Sequence, residues 1–173
     1  MNRRESCEWI VCEQGDRWGA ALRVMLARQM GATNPDPAGE PRVYEVCSLA
    51  ELEARLEVRP DALGLISVEV SNLRPTLTWL AAADAHFPQA RFIALVDCGD
   101  FAAECRQEIV DVLLESGCAD VAHSPRHLQH LLPVARRHAL AARARQAASA
   151  DNNTSLASDW PVLPWQAEDQ TVG

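Results

Sequence analysis

A chain of 173 residues with 48% hydrophobic content can bury one core and is too short for two ordinary domains. The net charge of -8 argues against general nucleic-acid affinity, and no apolar run approaches the roughly 18 residues of a membrane span. A cytoplasmic protein with no secretory leader and no membrane contact is expected.

Apolar runs alternate with helical patterns along the chain. EWIVCE (8 to 13) reads as a strand, and DRWGAALRVMLARQM (16 to 30) as a helix with Trp18, Leu22, Met25 and Leu26 near helical spacing. GATNPDPAGEP (31 to 41) is a loop by its Gly, Pro and Asn content. RVYEVCS (42 to 48) is a second strand. LAELEARLEV (49 to 58) is a second helix, with Ser48 as N-cap and Glu51 completing a capping box. ALGLISVEV (62 to 70) is a third strand, apolar enough to be buried on both faces.

SNLRPTLTWLAAADAHF (71 to 87) turns into a helix, with Pro75 in its first turn, where a missing N–H costs nothing. RFIALVD (91 to 97) is the fourth strand and CRQEIVDVLLESG (105 to 117) the fourth helix, closed by Gly117. CADVAHS (118 to 124) is the fifth strand. A last helix from Arg126 to about Ala148 must either kink at Pro133 or start there. Strand and helix pairs of this length imply right-handed crossovers and a parallel sheet covered on both faces.

Six cysteines are scattered without C-x-x-C or zinc-ligand spacing, so reduced core thiols are expected rather than a disulfide framework or a metal. All 16 basic residues are arginine; there is no lysine. No Gly-rich phosphate loop, G-x-S-x-G or H-E-x-x-H occurs.

The layout, with Pro60-Asp61 opening the third strand, Gly117-Cys118-Ala119-Asp120 starting the fifth and Ser124-Pro125 following it, resembles the receiver domain of bacterial response regulators over residues 8 to 146. The resemblance implies a CheY-like, three-layer α/β/α fold with a five-stranded parallel sheet in the order 2-1-3-4-5. It also implies an aspartate acceptor ending the third strand, Mg²⁺ held by acids after the first, a hydroxyl after the fourth and a lysine after the fifth. Here those positions align with Ser67, with Glu13 beside Gln14, with Val96 and with Ser124. No shift of alignment can supply a lysine to a chain that has none. The resemblance therefore implies a non-catalytic pseudo-receiver without cofactor, the alternative being a receiver still switched by a ligand or phosphoryl group at the residual acidic site. Glu69 or Asp97 is the substitute acceptor in that alternative.

Other constellations at the strand ends are a metal set of Glu13, Asp97, Cys98 and His123 and a Cys98–His123 nucleophile pair; both lack ligand or motif spacing. The last helix carries Arg126, Arg136, Arg137, Arg143 and Arg145, with no acid between Asp120 and Asp151. It reads as a solvated cationic face or as a docking surface for an acidic protein partner or a second copy of the domain. DNA binding is the weakest of its readings.

The composition separates a domain at 6 to 148 from a flexible tail at 149 to 173 that begins SADNNTSLASD. The tail contains Trp160, Pro161, Val162, Leu163, Pro164 and Trp165 in succession. Prolines stiffen this run and tryptophans anchor it, which suits a peptide ligand for a protein groove; folding back onto its own domain is the other reading.

Overall fold

Each apolar run becomes a strand that ends where the chain turns polar, and each amphipathic stretch becomes a helix laid on the sheet. The computed structural model of the chain describes residues 8–30, 42–97, 99 and 101–156. In chain order these form β1 (Glu8–Cys12), α1 (Arg17–Met30), β2 (Arg42–Val46), α2 (Leu49–Val58), β3 (Leu63–Val68), α3 (Leu73–His86), β4 (Arg91–Val96), α4 (Arg106–Glu115), β5 (Cys118–Ala122) and α5 (Leu128–Leu156). Short 3₁₀ turns at Ala103–Cys105 and Pro125–His127 lead into α4 and α5.

The strands form one parallel sheet in the order β2-β1-β3-β4-β5. Strand alternation splits the core in two. On one face Ile10, Cys12, Ile66, Val68, Phe92, Ala94 and Val96 pack against Leu52 and Leu56 of α2, Leu80 and Ala83 of α3 and Leu113 of α4. On the other, Trp9, Val11, Leu63, Leu65, Ile93 and Leu95 pack against Trp18 and Leu22 of α1 and Leu128, Leu131, Leu132 and Ala135 of α5. The β3 backbone comes close to its neighbour at Gly64, where a Cβ would sit 2.8 Å from the Phe92 ring. Phe92 in turn meets Trp79 edge to face at 5.2 Å.

Caps and edges follow local chemistry. Ser48 Oγ accepts from Glu51 N at 3.2 Å, while the Glu51 carboxylate reaches back to Cys47 N at 2.9 Å rather than to Ser48 N, a capping box displaced by one residue. Gly117, with φ of 109°, ends α4 in a conformation that disfavours any side chain. The edge strand β5 carries a bulge, since Phe92 pairs with Cys118 and Ile93 with Asp120, and such irregularities blunt an open edge. At the start of β3, Asp61 O lies 2.8 Å from Nε2 of buried His138, which ties the Pro60-Asp61 turn to α5.

Two expectations are corrected. Helix α5 does not stop near Ala148 but continues to Leu156, so Ser149 to Leu156 are helical rather than linker; extending a nucleated helix costs little per residue, even through Ser and Asn. Cys47 and Cys105 are exposed rather than core thiols, because each lies in a turn just outside its strand or helix, whereas Cys12 and Cys118 are buried. Pro133 lies inside α5 on its exposed face, where water can reach the carbonyl that its missing N–H releases. The chain divides into two compact units, Met1–Ala139, which holds the sheet, and Leu140–Gly173. No helix among the described residues is long and apolar enough to cross a membrane.

Candidate functional site

In open parallel sheets, ligand chemistry gathers at the carboxyl ends of the strands. Glu13 follows β1 there and is buried. Its Oε2 accepts from Trp18 N at 3.0 Å and its Oε1 from Gly19 N at 2.7 Å. Helix α1 has no acid in its own first turn, and its leading amides lack partners within the helix. Glu13 supplies both the acceptor atoms and the negative charge that a helix N-terminus favours. Gly19 makes room for this, since a Cβ there would overlap Glu45 Oε1 and lie 3.1 Å from Glu13 Oε1. Glu45, on β2, is ion-paired with Arg23. Gln14, beside Glu13, is exposed.

The ends of β3 and β4 are apolar where a phosphoryl site would need charge. Val68 is fully buried and lies directly opposite buried Val96, whereas Ser67 is one step back, opposite Leu95. Ser67 and Val96 are therefore not partners across the ladder. Glu69 lies past the strand, exposed, in a turn closed by Asn72, which accepts from Glu69 N at 2.8 Å and donates to Ser67 O at 3.0 Å. Asp97 is ion-paired with Arg17 at the start of α1 and accepts from Gly99 N at 3.0 Å. Cys98 lies outside the described residues, so its suggested pairings are not described either.

Beyond β5, Ser124 precedes the turn into α5; its side chain makes no cap hydrogen bond, and its carbonyl accepts from His127 N at 2.9 Å. Next to it His123, His127 and His130 form a chain of edge contacts, with ring centroids 6.0 and 6.2 Å apart. His123 Nδ1 is buried there without a hydrogen-bond partner. Even so, no group of three or more His, Cys, Asp or Glu among the described residues is placed to hold a metal ion.

Sequence reasoning missed the helix cap, the Arg17–Asp97 pair and the histidine contacts. Only the cap left a trace, an acid just before a helix whose first turn has none. The Cys12 thiol, at the end of β1, is pushed up to about 11, mainly by burial and then by the charges of Glu51, Cys47 and Glu13. Arg136 and Arg137 are exposed on α5, with Arg137 Nε donating to Pro133 O at 3.4 Å, and Arg126 belongs to the preceding 3₁₀ turn rather than to the helix. Trp160, Pro161, Leu163, Pro164 and Trp165 lie outside the described residues.

Neither a family model nor a curated protein matches this chain. Solved structures do. The chain is similar to a CheY-like protein, tadZ, from Pseudomonas aeruginosa PAO1, with a TM-score of 0.57 and 20% identity over 78% of this chain and 94% of that one. It is also similar to a response regulator from Thermotoga maritima, with a TM-score of 0.57 and 15% identity over 78% of this chain and 98% of that one. At such identities the likeness establishes the fold, a CheY-like α/β domain with its sheet in the order 2-1-3-4-5.

Proposed function

We propose that this CheY-like domain is a non-catalytic pseudo-receiver, a phosphorylation-independent protein-interaction module in bacterial signalling or regulation. The observation that carries the reading is the end of β3 and β4, where Ser67 and buried Val96 stand at the positions aligned with the acceptor and the hydroxyl and Val68, the last residue of β3, is buried opposite Val96, so that neither strand end offers an anionic acceptor. The neighbouring carboxylates are engaged elsewhere, Glu13 by the amides of α1 and Asp97 by Arg17. The chain has no lysine to serve as the cationic clamp of a receiver. The partner contacts are assigned to Arg136 and Arg137 on α5 and to the run from Trp160 to Trp165.

Incubation of the full chain with Mg²⁺ and acetyl phosphate, followed by intact-mass measurement, tests this. The expected spectrum has no phosphoryl adduct. A base-labile, hydroxylamine-sensitive adduct mapped to Glu69 or Asp97 would overturn the reading in favour of a receiver still switched by phosphoryl transfer.

A further inference from the structure

Cys12 is the last residue of β1 and Cys47 the first after β2. The ladder ends with Cys12 paired to Val46, where Glu13 N donates to Val46 O at 3.1 Å. Cys47 is thus one residue along from the partner of Cys12. With strands about 4.8 Å apart and a rise of about 3.3 Å per residue, that diagonal spans about 5.8 Å between Cα atoms, inside the roughly 4.4 to 6.8 Å that a disulfide bridges.

Strand alternation alone would aim the two thiols at opposite faces of the sheet. The chain leaves the sheet at Cys47, however, and turns through Ser48 into α2, whose Leu52 and Leu56 pack in the same cluster as Cys12. The turn therefore crosses the face on which Cys12 lies. Glu51, in the first turn of α2, accepts from Cys47 N, and its charge and that of Cys47 both raise the Cys12 thiol.

We propose that Cys12 and Cys47 are a reversible dithiol–disulfide pair, in which exposed Cys47 reacts first with a peroxide and buried Cys12 resolves the product. This inference is independent of the interaction reading. In the first step the Cys47 thiolate attacks hydrogen peroxide; an S–O bond forms, the O–O bond breaks, and the departing hydroxide becomes water. In the second, Cys12 attacks Cys47 Sγ; the S–S bond forms, the S–O bond breaks, and the leaving hydroxide takes up the Cys12 proton as water. The thiols together lose two electrons and the peroxide gains them. A small dithiol reductant reverses the bond by exchange. The division of labour follows from access, since Cys47 is exposed and Cys12 is not. Once formed, the bridge pins the β2–α2 turn to the end of β1, next to Glu13.

The test uses the reduced full chain with a small excess of hydrogen peroxide, alkylation in denaturant and non-reducing digestion after glutamate. That cleavage places Cys12 in WIVCE (9–13), apart from Cys7, and Cys47 in VCSLAE (46–51). The expected product is these two peptides joined, released by dithiothreitol. In Cys47→Ser no joined species can form, and Cys12 is expected to stay alkylatable after peroxide, because the sulfur that attacks the peroxide is gone. In Cys12→Ala, Cys47 accumulates as a sulfenic acid that dimedone traps. Cys47 joined to another cysteine, or oxidised beyond sulfenic acid while Cys12 remains alkylatable, overturns the proposal.

Discussion

Glu13 gives up its water on folding and gains two amide donors from α1. Glu13→Ala leaves those amides buried without an acceptor and is expected to destabilise the domain by about 2 kcal/mol in urea unfolding. Arg17→Ala breaks a largely exposed ion pair and is expected to cost less than about 1 kcal/mol in the same assay. The thiols set the alkaline limit. Burial pushes Cys12 up to about 11 and Cys118 up to about 12, the latter despite a backbone hydrogen bond at Ala94 that lowers it. A group whose folded value is raised contributes stability that is complete below the ordinary thiol value of 9.0 and is lost as pH climbs through 11 and 12. With no lysine to titrate in that window, the urea midpoint should fall steadily above pH 9.0, with Cys118 contributing about 1.4 kcal/mol per pH unit. Cys118→Ala should flatten the slope; an unchanged slope would mean that the buried thiol is not its source.

At the scale of elements, the helices are held by what they can approach. Gly64 lets β3 lie under the Phe92 ring, which is itself fixed against Trp79 of α3. Gly64→Ala should therefore cost about 1 to 3 kcal/mol through overpacking. Gly15 meets nothing within 4 Å, and Gly15→Ala should stay within about 0.5 kcal/mol of the parent. Equal effects in thermal or urea unfolding would show that backbone freedom, not contact with Phe92, explains Gly64. Helix α5 combines a buried stripe of Leu128, Leu131, Leu132, Ala135 and Ala139 with exposed Arg136 and Arg137. Leu128, Leu131, Leu132 and Ala135 of this stripe pack against the sheet, and the two arginines lie on the exposed side of the helix.

For the whole molecule, the interaction reading separates folding from capture. The sheet, α1 to α4 and the first part of α5 lie in Met1–Ala139, so removal of residues 157–173 should leave the unfolding midpoint nearly unchanged while abolishing retention of the partner in a pull-down. A marked loss of stability would instead mean that the WPVLPW run packs on its own domain. Replacing Arg136 and Arg137 together with Ala should slow association and reduce its salt dependence, as loss of steering charge requires. Identical rates at low and high salt would leave those arginines as a solvated face.

The sheet was legible in the sequence because its signal is local. EWIVC, LGLISV and RFIALV are apolar at nearly every position, with Glu8, Ser67 and Arg91 the exceptions, as strands covered on both faces are, and Ser48 and Gly117 mark helix ends by their own chemistry. The absence of lysine needed no fold at all to weigh against phosphoryl transfer. What only the tertiary structure decided is which groups come together: Val68 with Val96, Glu13 with the amides of Trp18 and Gly19, Arg17 with Asp97, and Cys12 beside the turn of Cys47. Composition and periodicity establish that a strand is buried, but a slip of one residue in register reverses the face of every side chain on it. Register is set by crossovers and packing over the whole sheet, and for that reason the site could not be read from the residues that form it.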